Sequence, residues 1–163
     1  MGHIKLLDCT LRDGGYINDW RFGEKEIPEM IEALEQSKVD ILELGFLKNE
    51  PYYKDRTVFN SMEQVKTLIP EKKTGIEYAV MCEVVNPLPL DMLAPADEKS
   101  ADIIRVIVWK TKRNNEGEEE DALQAGYEYC KGIVEKGYKL CVQPARVSQY
   151  SDDEFVEMVK QFS

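Results

Sequence analysis

Five short apolar segments that alternate with helical patterns constrain this chain most. Each segment has the length of a β-strand and precedes a stretch in which apolar residues recur at three- and four-residue spacing. Strands that alternate with helices in this way indicate βα units, a parallel sheet and the α/β class. The predicted strands cover about residues 4–9, 40–46, 75–82, 103–109 and 138–143.

The predicted helices fill the intervals between these strands. They cover about residues 24–37, 60–69, 90–99 and 118–136, and a last helix runs from Ser151 to the end. Pro28 is tolerated because it falls in the first turn of its helix. Glu154, three residues after Ser151, completes a capping box, which fixes the start of the last helix.

A charged residue inside each predicted strand separates the two architectures that five βα units permit. In a doubly wound, flavodoxin-like sheet, strands covered on both faces read as apolar runs, and an unpaired charge is very costly. A (β/α)8 barrel, which normally needs ~250 residues, has a lumen that can hold mutually neutralising charges. The charges are Lys5, Glu43, Glu77, Arg105 and Lys139. We therefore predict a partial (β/α)8 barrel of about five βα units. The alternative places several charges at strand ends in solvent, above all Lys5 and Lys139.

Alternation along the second predicted strand assigns its two faces. Leu42, Leu44 and Phe46 share one face, which we expect to pack on helices. Glu43 and Gly45 then face the lumen.

The net charge limits the classes of partner. Acidic residues outnumber basic ones by 31 to 21, for a formal charge of −10. Nucleic acids and anionic membranes both require a basic face, so we expect neither as a partner. The sequence has neither an apolar run of the ~20 residues that span a bilayer nor a secretory h-region near its start. We expect one cytoplasmic domain.

Cysteine and histidine usage argues against a zinc or iron site within the chain alone. The four cysteines show no CxxC spacing, so we expect reduced, buried thiols rather than disulfides or a zinc site. His3 is the one histidine, which rules out a site built from several imidazoles of this chain. The cysteines are Cys9, Cys82, Cys130 and Cys141.

An Arg-Asp pair directly follows the first predicted strand, in the segment DCTLRDGGY at residues 8–16. In parallel α/β proteins, ligands bind beyond the carboxyl ends of the strands. A carboxylate there can ligate a hard cation, and a guanidinium can hold a carbonyl or enolate oxygen. The two glycines predict a tight loop with its backbone close to another group. An ordinary surface ion pair is the alternative interpretation.

The same segment resembles the first-strand signature of the metal-dependent aldolase, lyase and acyltransferase superfamily. This is the DRE-TIM metallolyase group, which includes 3-hydroxy-3-methylglutaryl-CoA lyase. About one βα unit later, DILELGF at residues 40–46 resembles the family's second strand, which ends in Glu-x-Gly-Phe. The continuation YINDW at residues 16–20 is most similar to the 4-hydroxy-2-oxovalerate aldolase-like branch.

The resemblance implies roles for four residues. Asp13 matches the aspartate that ligates Mg²⁺ or Mn²⁺ together with a His-x-His pair on strand seven. Arg12 matches the arginine that stabilises the enolate oxygen when a carbon–carbon bond breaks or forms, and Glu43 matches the glutamate that orients it. Tyr16 stands where characterised aldolases carry a histidine base. A phenol with a reference pKa near ~10 is a poorer base, so catalytic, binding and packing roles for Tyr16 stay open.

The family pattern also implies that the barrel continues beyond five units. We expect residues 1–163 to be the N-terminal part of a catalytic domain, without strands six to eight and their metal ligands. Alone, this part would be a poor catalyst, would hold its divalent metal weakly or not at all, and would associate with further copies through its open side. The implied substrates are a small 2-oxo acid and an aldehyde. A Claisen-type acyltransferase and a non-catalytic metabolite-binding module are the alternatives.

Weaker candidates follow the other predicted strands. Lys110 could form a Schiff base, as in metal-independent aldolases, or bind a substrate anion. With Lys112 and Arg113 beside it, a solvated basic loop is the simpler interpretation. Further polar residues could line or cover the site: Asn18, Asp19, Arg21, Gln143, Arg146, Gln149 and the segment 50–54.

Overall fold

The parallel sheet curls into half of a barrel in the computed structural model, which describes residues 4–70, 75–113 and 116–163. Five strands lie in the order β1, β2, β4, β5, β8, and each neighbouring pair is parallel. A short strand, β3, pairs with the end of β2. The partial-barrel prediction is confirmed. The strands are Leu7–Asp8 (β1), Ile41–Leu47 (β2), Val58–Phe59 (β3), Glu77–Glu83 (β4), Ile103–Val108 (β5) and Lys139–Pro144 (β8). His3 lies outside the described residues.

Helices follow most of the strands. The predicted capping box of the last helix is present: the Ser151 side chain accepts from the backbone N–H of Glu154, whose carboxylate accepts from the backbone N–H of Ser151. No helix in the described ranges has the length and apolarity of a bilayer span. The helices are Thr10–Asp13 (α1), Glu26–Gln36 (α2), Met62–Lys66 (α3), Leu123–Glu135 (α4) and Asp152–Phe162 (α5).

The helix predicted near residues 90–99 is wrong, because this segment forms turns. The Asp97 carboxylate accepts from the backbone N–H groups of Lys99 and Ser100 at 2.9 and 3.0 Å. Such a local side-chain turn satisfies backbone donors outside a helix, and it therefore competes with helix formation.

Two further boundaries differ from prediction. The helix expected from residue 118 begins only at Leu123, because Glu119–Asp121 (β7) pairs antiparallel with Thr111–Arg113 (β6). The first strand is shorter than expected at both ends: it covers only Leu7–Asp8, and α1 begins at Thr10. Backbone pairing with a neighbouring segment decides the first case, and no local pattern in the sequence reports it.

Two hydrophobic clusters lie on opposite faces of the sheet, one against the helices and one in the lumen. The predicted alternation of β2 is wrong at Phe46, which belongs to the lumen cluster rather than to the helix side with Leu44. The pairing register shifts between Glu43 and Phe46, where Gly45 adopts a φ of +146°. A Cβ at Gly45 would lie 2.0 Å from the carbonyl oxygen of Thr57. This irregularity moves Phe46 to the lumen face.

The five strand charges separate into two levels. At the amino ends of the strands, the Glu77 carboxylate accepts hydrogen bonds from Lys5 and Lys139. These lysine side chains are 57% and 67% exposed. The alternative that placed Lys5 and Lys139 at strand ends in solvent is therefore correct for these two residues. We call these three residues the amino-end cluster. Glu43 and Arg105 lie inside the lumen, as predicted.

The four cysteines are free thiols, as predicted. Burial raises the pKa of the Cys82 and Cys130 thiols to about 12, so both are unreactive at neutral pH. The expected burial is wrong for Cys141, which is exposed on the open lumen face of β8, and only partial for Cys9.

Candidate functional site

A chain of hydrogen bonds crosses the lumen between three strands and α1. The Glu43 carboxylate is fully buried and accepts from Arg12 Nε and Arg105 Nη1, both at 2.8 Å. Arg105 Nη2 donates to Gln143 Oε1 at 2.6 Å. We call these four residues the lumen network. A buried carboxylate requires charged or hydrogen-bonded partners. The fold therefore has to keep both arginines within hydrogen-bond distance of Glu43.

Arg12 lies in α1, directly beyond the carboxyl end of β1. Its Nη1 donates to Asp13 Oδ1 at 2.8 Å, so Nη2 is its one nitrogen without a carboxylate partner among the described residues. Burial by itself lowers the pKa of Arg12. The hydrogen bond and charge of Glu43, with the charge of Asp13, outweigh burial and raise that pKa above its ordinary value. Arg12 is therefore a permanent, oriented cation.

Two side chains hold the backbone that carries Arg12. Trp20 Nε1 donates to the Arg12 carbonyl at 2.6 Å, and Thr57 Oγ1 donates to the Leu11 carbonyl at 2.6 Å. A Cβ at Gly15 would lie 2.0 Å from Trp20 Cδ1. The close approach predicted for the double glycine is therefore present at Gly15, and its partner is the indole.

The chain after α1 forms a 3-10 turn over Gly14–Ile17 and then two left-handed residues, Asp19 (φ 55°) and Trp20 (φ 57°). Such backbone costs ~1–3 kcal/mol per residue, so surrounding contacts must hold it. Arg56 does so, donating to the Asp19 carboxylate at 2.8 Å, to the Asp19 carbonyl at 2.9 Å and to Glu50 at 3.0 Å. Asp19 and Glu50 were expected to line or cover the site. Their contacts with Arg56 instead stabilise the conformation of this loop.

Tyr16 lies at the rim and is 61% exposed. Its ring packs edge-on against Trp20 and Phe46, with centroids 4.9 and 6.4 Å apart. Burial, and then the charge of Glu83, raise the pKa of Tyr16, while the charge and hydrogen bond of Arg12 act in the opposite direction. A phenol with a raised pKa is a hydrogen-bond donor at neutral pH. This favours a binding or packing role over that of general base.

Asp13 is the residue expected to ligate a metal, and its side chain is 61% exposed. In the described ranges, no group of three or more His, Cys, Asp or Glu side chains is arranged to hold a metal ion. Mg²⁺ and Ca²⁺ take six or more oxygen ligands, whereas Asp13 supplies one carboxylate, already bonded to Arg12. The described residues do not fit a metal site by themselves.

A second charged pair, which the sequence reasoning missed, stands at the carboxyl ends of β2 and β4. Lys48 Nζ lies 3.8 Å from Glu83 Oε2, and the lysine side chain is 13% exposed. The ammonium lies 4.4 Å from the Phe46 ring centroid and 5.3 Å from that of Trp20. Glu83 directly follows the predicted strand 75–82, and Lys48 lies two residues after the predicted strand 40–46. A position just beyond a strand end is the signal that identified Arg12, so the same reasoning could have found them.

Lys110 forms an ion pair with a residue of α5, so its amine is not free to form a Schiff base. Its Nζ donates to both carboxylate oxygens of Glu154 at 2.8 Å and to the Gln149 carbonyl at 3.1 Å. The hydrogen bond from Lys110 lowers the pKa of Glu154 to about 2. An ion-paired ammonium is not the neutral amine that Schiff-base formation needs. Lys112 and Arg113 are solvated as expected, but they lie in the short strand β6 rather than in a loop.

Two other candidates are engaged outside the lumen network. The Arg146 guanidinium lies 5.1 Å from the Trp109 ring centroid. Arg21 pairs with Asp55 at 2.7 Å and lies over the Tyr53 ring at 5.1 Å. Gln143, Arg146 and Gln149 were the candidates near the end of the fifth predicted strand. Of these three, Gln143 belongs to the lumen network.

No protein-family model matches the chain, and a search of the curated proteins finds no matching relative. The resemblance of residues 8–16 and 40–46 to the DRE-TIM metallolyases therefore stays a prediction. A functional interpretation has to be argued from the lumen network and its surroundings.

Proposed function

We propose that this half-barrel is the N-terminal part of a carbon–carbon lyase that stabilises the enolate of a small 2-oxo acid at Arg12. One observation carries the proposal: a guanidinium at the carboxyl end of β1 is fixed by a fully buried carboxylate and keeps one nitrogen without a carboxylate partner in the described residues. In retro-aldol cleavage the proton of the substrate's hydroxyl group passes to solvent water, the carbon–carbon bond breaks to release the aldehyde, and the electron pair of that bond leaves a negative oxygen on the 2-oxo acid. A pre-oriented cation stabilises that oxygen where its charge develops.

Each member of the lumen network has a part in this proposal. Arg12 would donate from Nη2 to the 2-oxo oxygen, which becomes the enolate oxygen. Glu43 fixes the guanidinium through Nε, and Arg105 pairs with the other carboxylate oxygen of Glu43. Tyr16, which keeps its proton, would donate a hydrogen bond to a substrate oxygen.

The divalent cation of the resembled family enters this proposal only through Asp13. Since Asp13 is a single carboxylate bonded to Arg12, further ligands would have to come from elsewhere. No step above depends on a metal. The substrate class, a 2-oxo acid with an aldehyde, is likewise taken from the resemblance.

A second candidate function is a non-catalytic module that binds a carboxylate metabolite. The raised pKa of Tyr16 favours it, because the position of the family's base holds a group that retains its proton. Binding without proton abstraction would then be the whole activity of the site.

Deuterium incorporation into the methyl group of pyruvate in D₂O, followed by mass spectrometry, separates these functions. We expect slow exchange above the buffer rate, lost at least tenfold in Arg12→Gln and only partly restored in Arg12→Lys, which keeps the charge but not the fork. Arg113→Gln, in the β6–β7 hairpin, is the matched control. Binding without exchange would favour the metabolite-binding module, and absence of both would contradict both functions.

Analysis of the condensation products distinguishes the Claisen-type alternative. Condensation of pyruvate with an aldehyde would support the lyase. A product formed from a 2-oxo acid and acetyl-CoA, but not from an aldehyde, would replace it by an acyltransferase.

We also propose that copies of the chain associate through the open side of the half-barrel. Among the described strands, β8 pairs only with β5, and Cys141 is exposed on its lumen face. An unpaired strand edge favours association. Light scattering at tens of micromolar should give at least the dimer mass, and a stable monomer would refute the association.

A further inference from the structure

Lys48 is a shielded ammonium without a hydrogen bond inside the described part of the chain. Its side chain is 13% exposed, and its nearest carboxylate, on Glu83, lies 3.8 Å away, beyond hydrogen-bond distance. An ammonium has three N–H donors. It is costly to bury such donors away from water without giving them hydrogen-bond acceptors. The two ring faces beside it, Phe46 and Trp20, attract a cation but accept no conventional hydrogen bond. A set of unused donors at a strand end is what a binding site for an anionic group requires.

Lys48 and Arg12 face the same ring. The Arg12 guanidinium carbon lies 5.8 Å from the Phe46 centroid, and the Lys48 ammonium lies 4.4 Å from it. The charges of Arg12 and of Glu83, the carboxylate nearest to Lys48, both act on the Tyr16 hydroxyl. The rim therefore offers two separate cationic poles around one aromatic floor.

We propose that Lys48 binds the carboxylate of the 2-oxo acid, while Arg12 binds its 2-oxo oxygen. This inference rests on the proposed function for the identity of the substrate class. A 2-oxo acid carries two oxygen-bearing groups on adjacent carbons, one always charged and one that becomes charged on enolisation. The flexible four-carbon stem of lysine lets its ammonium follow the first group, whereas Glu43 fixes Arg12 at the second.

Glu83 competes with the substrate carboxylate at this pole. At 3.8 Å its carboxylate attracts the Lys48 ammonium without engaging its protons. The pair is therefore loose enough for an incoming carboxylate to take over the ammonium. Removal of the Glu83 charge should strengthen carboxylate binding rather than weaken it.

The test compares pyruvate with pyruvamide, which keeps the 2-oxo group but replaces the carboxylate by an uncharged amide. Affinities are measured by ligand-observed NMR titration of the whole chain. Lys48→Met should weaken pyruvate binding about 10- to 100-fold, the range for one charge-assisted hydrogen bond, and leave pyruvamide within twofold. Lys48→Arg should retain most of the pyruvate affinity. Lys25→Met, at an exposed lysine before α2, should change neither.

A second variant keeps the test valid if Lys48→Met folds poorly. Glu83→Gln should tighten pyruvate binding by a few-fold without affecting pyruvamide. The proposal is overturned if Lys48→Met leaves pyruvate affinity unchanged or weakens both ligands equally, if Glu83→Gln weakens pyruvate binding, or if the wild-type chain binds neither ligand.

Failure of this inference and failure of the proposed lyase function give different results. Lys48-dependent pyruvate binding without deuterium exchange would remove the lyase function and leave the carboxylate site. Arg12-dependent exchange with a pyruvate affinity indifferent to Lys48 would remove the carboxylate site and leave the lyase function.

Discussion

The amino-end cluster and the lumen network use the same arrangement, one carboxylate between two cations, in different surroundings. The Glu77 side chain is 21% exposed and its lysine partners lie mostly in water, whereas the Glu43 side chain is 0% exposed. In water such a triad is weak, since each exposed pair contributes ~0–1 kcal/mol. In the lumen the loss of any one member leaves a shielded charge without its partner, which is costly. The comparison teaches that a charge in a strand indicates a site only when its partners are also shielded.

The largest expected effect tests this comparison directly. Glu43→Gln leaves two shielded guanidiniums without their shared carboxylate, and it should lower the free energy of unfolding by about 3–5 kcal/mol. Glu77→Gln should lower it by ~0–1 kcal/mol. Urea denaturation followed by circular dichroism measures both. Equal losses would show that burial does not separate the two triads.

The next effect concerns the backbone that positions Arg12, for which the amino-end cluster has no counterpart. Gly15→Ala would place a methyl group 2.0 Å from Trp20 Cδ1, and such overpacking costs about 1–3 kcal/mol. Gly14→Ala is the matched control, because its nearest side-chain atom is 3.8 Å away and its φ of −64° suits alanine. We expect Gly14→Ala to be neutral or slightly stabilising. Melting temperatures of the two variants compare them, and similar losses would show that the indole does not constrain this loop.

The strand pattern was sufficient for the half-barrel and for the position of Glu43 and Arg105 in its lumen, whereas the pairing of Arg12 with Glu43 was expected only from the family resemblance. Charges in buried strands must be neutralised, and this requirement can be read from strand positions without coordinates. The strand pattern failed to predict the face on which Phe46 lies. The pairing register shifts at Gly45, where the Thr57 carbonyl comes close to the backbone. Alternation is a local rule, and a tertiary contact overrode it.

The support of the site could not be read from the sequence. Thr57 reaches the Leu11 carbonyl across 46 residues, and Arg56 reaches Asp19 across 37. The Arg56 contact holds left-handed backbone at Asp19 and Trp20, a conformation that a tryptophan does not favour. Long-range contacts hold this strained conformation, so no local pattern reports it.

A smaller effect isolates one of these contacts. Thr57→Val keeps the shape of the side chain but removes the hydrogen bond to the Leu11 carbonyl, which should cost ~1 kcal/mol. Thr67→Val removes a comparable bond at the exposed end of α3, to the Gln64 carbonyl at 2.7 Å, and should cost less than ~0.5 kcal/mol. Urea midpoints provide the comparison. If Thr67→Val lowers the free energy of unfolding as much as Thr57→Val does, burial does not explain the contribution of the Thr57 hydrogen bond.

The smallest effect is a pH dependence at the amino-end cluster. Hydrogen bonds from Lys139 and then Lys5 lower the pKa of Glu77 below its ordinary value. A carboxyl group whose pKa is lower in the folded protein contributes stability above its unfolded pKa, near ~4.3, and loses it as pH falls through the folded value. Glu77→Gln should therefore flatten the loss of stability below about pH 4, and near neutral pH it should stay less stable than the wild type by the same ~0–1 kcal/mol. The difference between the two proteins should shrink at 1 M salt, where the Debye length is about 3 Å. A difference that survives high salt would indicate that this cluster, despite its exposure, is shielded like the lumen network.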